Sequence, residues 1–252
     1  MKSLFRSLKM MQREIHITPM DLLKAVQFKE GDLAKIAIIS GQPQRVSMAL
    51  EKLKNPLKNF SAFGYTFWTG EYKGKRVTVG NGGMYAPDAA LVTELLCAGG
   101  VDYLIRLGSC GSMRKEINIG DYVLVESVLR GDGVTRYYVN DGAIPEADQE
   151  LNDKLATVFK EIHKGMVWTT DALLRETKEV VNEAISQGAI AVDMVTSPFL
   201  TIANLYDKKA AAILLVSDNL ITGEIGFASI KVFDAEKKMI DRAFDLMGVI
   251  DA

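Results

Sequence analysis

Cysteine and histidine are nearly absent: the 252 residues hold two of each, Cys97 and Cys110, His16 and His163. The cysteines form no C-x-x-C pair, so neither a zinc ribbon nor a disulfide scaffold is expected. Both lie in apolar or glycine-rich surroundings, as reduced cytoplasmic thiols do. The histidines are too far apart for an H-E-x-x-H site, and no metal is expected. A basic surplus is missing too: 30 Lys and Arg face 32 Asp and Glu, a net charge of −2. Nucleic acid is therefore not an expected partner. No run approaches the ~18 apolar residues of a membrane span, and no membrane association is expected. Met1 to Arg13 shows neither an uninterrupted apolar stretch nor a small-residue cleavage pattern, and reads as a tail or packing helix. No G-x-G-x-x-G follows the first strand, which disfavours a dinucleotide-binding enzyme.

What is present is core. The chain is 48% hydrophobic and 25% charged, which excludes a disordered polymer. One domain of this length buries roughly three quarters of its unfolded surface. The chain divides into an N-terminal tail and packing segment, 1–30, and one domain, 31–252, expected in the cytoplasm.

Short β-rich runs alternate with helical ones. Strands are expected at Lys35–Ser40, Phe67–Tyr72, Arg76–Gly80, Asp102–Leu107, Asp121–Leu129, Met166–Thr170, Ala189–Met194 and Ala211–Ser217. Helices are expected at Gln44–Lys54, Ala89–Ala98 capped by Asp88, Asp148–His163, Arg175–Ser186, Ser197–Asp207 and Ser229–Met247. Continuous apolar strands such as AAAILLV are buried on both faces. The alternation predicts a single α/β domain: a mixed, mainly parallel sheet between helices in a three-layer sandwich. Ligands bind beyond the carboxyl ends of such strands. That rule selects four segments: Gly41–Arg45, Arg106–Gly111, Asp193–Thr196 and Asp218–Gly223.

These segments resemble those of the nucleoside phosphorylases, the superfamily of purine nucleoside, methylthioadenosine and uridine phosphorylases and related nucleosidases. Ile105-Arg106-Leu107-Gly108-Ser109-Cys110-Gly111 is similar to the family's I-R-x-G-S-C-G. Ser40-Gly41-Gln42-Pro43-Gln44-Arg45 resembles its P-G-D-P-x-R turn, and Val216-Ser217-Asp218 its V-S-D. Val192-Asp193-Met194-Val195 stands where the family has V-E-M-E. The resemblance covers roughly Leu33 to Met247 and implies an enzyme that cleaves a nucleoside with phosphate as co-substrate and no cofactor. By resemblance, Gly41, Arg45, Arg106 and Ser109 are phosphate ligands. Gly41 would let the backbone approach the anion, and the helix opened by Pro43 would point free N–H groups at it. The other reading of Arg106 is a core-edge arginine paired with a carboxylate. For Arg45 it is a solvated helix residue. Asp218 would protonate or hydrogen-bond the leaving purine, its pKa raised by burial; alternatively it makes a turn with Asn219. Lys231 lies near the position of an arginine that tunes this aspartate in many members.

The sugar site departs from the pattern. Val195 replaces the glutamate that holds the ribose hydroxyls, a loss of roughly 10²-fold in transition-state binding. Asp193 is the candidate substitute, projecting to the same side if the strand continues, and Met194 would pack on the sugar. Leu173 falls near the aromatic that stacks on the base. Phe63 or Tyr65 stands where a neighbouring subunit normally lends an arginine. His16 vaguely resembles a histidine lent to an adjacent subunit's sugar. The resemblance implies a homo-oligomer, a dimer or hexamer. Two readings compete with a phosphorylase: a hydrolytic nucleosidase, and a binding-only or repurposed member. A Val195→Glu variant is expected to release base from ordinary ribonucleosides faster than the wild type in a continuous assay. No change would mean that residue 195 does not face the sugar.

Overall fold

The computed structural model describes residues 15–250, and the Met1–Arg13 segment lies outside them. In chain order the elements are α1 (Pro19–Ala25), β1 (Ile36–Ser40), α2 (Pro43–Leu50), β2 (Lys54–Ala62), β3 (Tyr65–Tyr72), β4 (Lys75–Asn81), α3 (Ala86–Ala98) and β5 (Tyr103–Ser112). There follow β6 (Tyr122–Gly131), α4 (Gln149–Val158), β7 (His163–Thr170), α5 (Lys178–Ser186), β8 (Ala189–Asp193), α6 (Thr196–Leu205), β9 (Lys209–Asn219), β10 (Glu224–Ile225) and α7 (Ile230–Asp245).

The strands form one mixed sheet in the order β10-β9-β6-β7-β8-β5-β1-β4-β3-β2. Its middle is parallel, β4 on β1, β1 on β5 and β5 on β9. Antiparallel pairs sit in the β2-β3-β4 hairpins and where the sheet folds back on itself. Strand β5 gives Tyr103–Arg106 to β1, then Gly111 and Ser112 to β8 in the opposite sense. Because β9 pairs with both β5 and β6, the strands β5, β9, β6, β7 and β8 close a ring.

Alternation along β1 divides the core. Ile36 and Ile38 face a cluster with Val46 of α2, Leu151 of α4 and Met239 of α7. Ala37 and Ile39 face one with Leu95 of α3, Phe199 of α6 and Leu23 of α1. The sheet between two helical layers is thus the expected sandwich.

Local differences from the expected elements have local causes. Strand β2 was not anticipated because it is a mostly exposed edge carrying Pro56, where a missing ladder N–H is tolerated. Strand β5 does not stop at Leu107 but continues to Ser112. Helix α3 begins before Asp88, which lies in its first turn and accepts from Tyr65 Oη at 2.6 Å. Asp148 caps α4 as its sequence suggests, accepting from Leu151 N at 2.8 Å. The helix ends early because Phe159 turns out of it to bury its ring completely. Thr177 caps α5, so the helix begins at Lys178 rather than at Arg175, which ends a separate 3-10 turn.

Phe199 of α6 is fully buried. A Phe199→Ala variant is expected to lose about 3–5 kcal/mol in urea denaturation. A loss below about 1 kcal/mol would mean that α6 does not pack on the sheet as described.

Candidate active site

The four selected segments converge on one cavity of about 210 Å³. It is lined by Gly41, Arg45, Arg106, Ser109, Asp193, Met194, Val195, Leu173 and Asp218, together with Glu176 and Phe227. The cavity lies where β5 changes partners, between its pairing with β1 and its pairing with β8.

Arg106 projects from β5 into this region and is buried. Its Nη2 lies 3.2 Å from Asp193 Oδ2. Its Nη1 is buried with no hydrogen-bond partner among the described residues. A buried donor left unmade is costly, so this nitrogen marks a place for an acceptor. Gly108 makes the arrangement possible: a Cβ there would come 1.6 Å from Nη1. Arg45 approaches from α2. Its Nη2 donates to Ser109 Oγ at 2.5 Å and to Glu236 Oε1 at 2.6 Å, and its Nε donates to the same Glu236 oxygen at 3.0 Å. Burial draws both guanidinium pKa values below the arginine range, against the pull of Glu236 on one and Asp193 on the other.

Asp193, the expected substitute for the sugar ligand, has its carboxylate engaged within the protein. Its Oδ1 accepts from Thr169 Oγ1 at 2.7 Å, and its Oδ2 from Thr196 N at 3.0 Å and Thr196 Oγ1 at 2.5 Å. With Arg106 also on Oδ2, both oxygens are occupied. Strand β8 ends at Asp193, so the alternation that would place it beside Val195 does not continue. Packing requires glycine at position 41: a Cβ there would lie 2.4 Å from the Gly83 carbonyl oxygen. Lys231 does not support Asp218; its aliphatic stem packs over Gly120 in a different groove. His16 is exposed and outside the lining of its own chain's cavity. The same holds for Phe63, at the β2–β3 turn with φ of 55°. Tyr65 is engaged with Asp88.

Asp218 stays available because its neighbour makes the turn. Asn219 Oδ1 accepts from Ile221 N and Thr222 N, at 2.9 and 3.0 Å. Burial holds the Asp218 carboxyl above the usual range, opposed by a hydrogen bond from Ser217 Oγ at 2.9 Å. Val195 is buried, Met194 half-buried and Leu173 exposed at the rim.

Two cavity-lining groups, Glu176 and Phe227, and one behind the cavity, Glu236, escaped the sequence reading. Glu176 sits between a 3-10 turn (Leu173–Arg175) and α5, with its Oε1 buried and unpartnered among the described residues. Burial, reinforced by the nearby Asp218 charge, pushes its pKa up to about 7. Nothing local marks it. Glu236 had a legible signal: it stands on the buried stripe of α7 with Val232 and Ile240, one turn from each. Phe227 supplies an aromatic ring from the loop before α7.

The chain belongs to the phosphorylase superfamily, whose model matches residues 35–245. It is 34% identical over 204 residues to a DeoD-type purine nucleoside phosphorylase of Oceanobacillus iheyensis, covering 78% of this chain and 87% of that one. It is 35% identical over 203 residues to one of Caldanaerobacter subterraneus subsp. tengcongensis, covering 78% and 88%. The fold matches a Toxoplasma gondii purine nucleoside phosphorylase crystallised with immucillin-H at a TM-score of 0.80, with 19% identity, 88% of this chain and 93% of that one covered. A uridine phosphorylase from Vibrio fischeri matches at 0.78, with 22% identity and 88% and 94% coverage.

The buried Glu176 carboxyl makes the fold's stability depend on pH. Its pKa rises from 4.5 unfolded to about 7 folded, so the fold loses stability as pH climbs between those values and by a constant amount above them. Glu176→Gln is expected to raise the Tm near about pH 8 and leave it unchanged near about pH 4. An equal shift at both pH values would contradict this placement.

Proposed function

We propose that this protein is a pentosyltransferase that cleaves the N-glycosidic bond of a purine-type nucleoside with inorganic phosphate, giving free base and sugar 1-phosphate. The observation that carries this reading is the unpartnered, buried Arg106 Nη1 in the same cavity as the half-buried Asp218. A phosphate oxygen at Arg106 Nη1, Arg45 and Ser109 receives charge-assisted donors. That oxygen attacks the anomeric carbon as the bond to the base nitrogen breaks. The electron pair leaves with the base, and Asp218 supplies the proton or hydrogen bond that stabilises it. A carboxyl with a raised pKa keeps that proton further toward neutral pH. Met194 packs on the sugar, and Phe227 offers the base a stacking face beside Leu173. By resemblance to the family, the enzyme works in the cytoplasm as a homo-oligomer, and neither a cofactor nor a metal takes part.

A second reading has one specific observation behind it. Val195 offers a ribose no side-chain acceptor, and both Asp193 oxygens already have partners in Thr169, Thr196 and Arg106, which suits a member that binds a nucleoside or anion without turning it over. A nucleoside panel assayed with and without phosphate separates the readings: phosphate-dependent base release supports a phosphorylase. Release that ignores phosphate indicates a hydrolase, and no release from any nucleoside indicates a binding protein. Within the first reading, Asp218→Asn is expected to lower kcat roughly 10²–10⁴-fold with little change in phosphate KM. An unchanged kcat would remove Asp218 from the chemistry.

A further inference from the structure

Glu236 reaches the phosphate region from α7, almost the whole domain away in sequence. Its Oε1 takes Arg45 Nε at 3.0 Å and Arg45 Nη2 at 2.6 Å. The pair is buried, with side-chain exposures of 2% for Arg45 and 10% for Glu236. Arg45 Nη1 is aimed at Leu107 O at 3.4 Å, so every nitrogen of this guanidinium already has an acceptor. The nitrogen that reaches Ser109 is the one that also holds Glu236. Across the cavity, Arg106 is matched by Asp193. Two guanidinium groups thus face two carboxylates, and the anion seat has no positive surplus.

A phosphate can take Arg106 Nη1 without displacing anything. At Arg45 its charged oxygens meet a carboxylate that already takes Nε and Nη2 of the guanidinium and, when ionised, only accepts hydrogen bonds. Two acceptor anions cannot share one donor fork without repulsion in a buried site. Resting on the phosphorylase reading above, we infer that Glu236 sets the phosphate affinity of the anion seat: its carboxylate competes with phosphate for Arg45 and holds that affinity down. The opposite role, in which Glu236 merely positions Arg45 for phosphate, predicts the opposite response to losing its charge.

The test is calorimetric titration of the full-length protein with inorganic phosphate, beside Glu236→Gln and Glu236→Asp. Glutamine keeps an acceptor oxygen but removes the charge, and its Kd for phosphate is expected to fall at least about tenfold, equivalent to about 1.4 kcal/mol. Aspartate withdraws the carboxylate by one methylene, and its Kd is expected to fall by a smaller factor. It also serves if the glutamine variant does not fold. Unchanged or weaker phosphate binding in the folded variants overturns the inference. Phosphate-dependent base release by the wild type is measured in parallel. Its absence counts against the phosphorylase reading, whereas release without tighter binding in the variants counts only against the role of Glu236.

Discussion

The buried pair of Arg106 and Asp193 is the constraint on which the site depends. It joins β5 to the end of β8 across the point where β5 leaves β1 for β8. Asp193 fixes the start of α6 through Thr196 and reaches β7 through Thr169. Removing one partner of such a pair strands a charge and costs about 3–5 kcal/mol. The pair therefore couples the geometry of the ring to the direction in which Arg106 Nη1 points. Gly108 follows from the same requirement, since any side chain there would occupy the space of the guanidinium.

Charge is balanced locally. A chain with a net charge of −2 has no general attraction for an anion, so a phosphate must be held by a few aimed donors. Arg106 Nη1 is the donor left open among the described residues, whereas Arg45 Nη2 is already shared between Ser109 and Glu236. The base end differs: Asp218 and Glu176 are two carboxyls in one partly buried space, and ionising one resists ionising the other. One cavity thus separates an anion-accepting end from a proton-holding end, the division that glycosidic cleavage by phosphate requires.

Much of this was legible because strand ends are local. The turn Gly41–Arg45, the run Arg106–Gly111 and Asp218 each follow an apolar strand, and parallel packing brings such ends together. The partners of the two arginines were not legible in the same way. Glu236 is 191 residues from Arg45, and only its place on the buried stripe of α7 hinted that it needed a cation. For Asp193, spacing alone does not reveal Thr169 and Thr196 as partners. Edge strand β2 escaped because its polar, proline-containing run lacks the apolar alternation of a half-buried strand. Glu176 escaped because it belongs to no pattern; only the close approach of its loop to Asp218 gives it meaning.

On the proposed function, the buried Nη1 of Arg106, without a partner among the described residues, seats the phosphate. A crystal structure of the protein soaked with inorganic phosphate tests it directly. The account predicts a phosphate oxygen within hydrogen-bonding distance of Arg106 Nη1 and another near Ser109 Oγ. A phosphate bound elsewhere, with Nη1 still unpartnered, would contradict it.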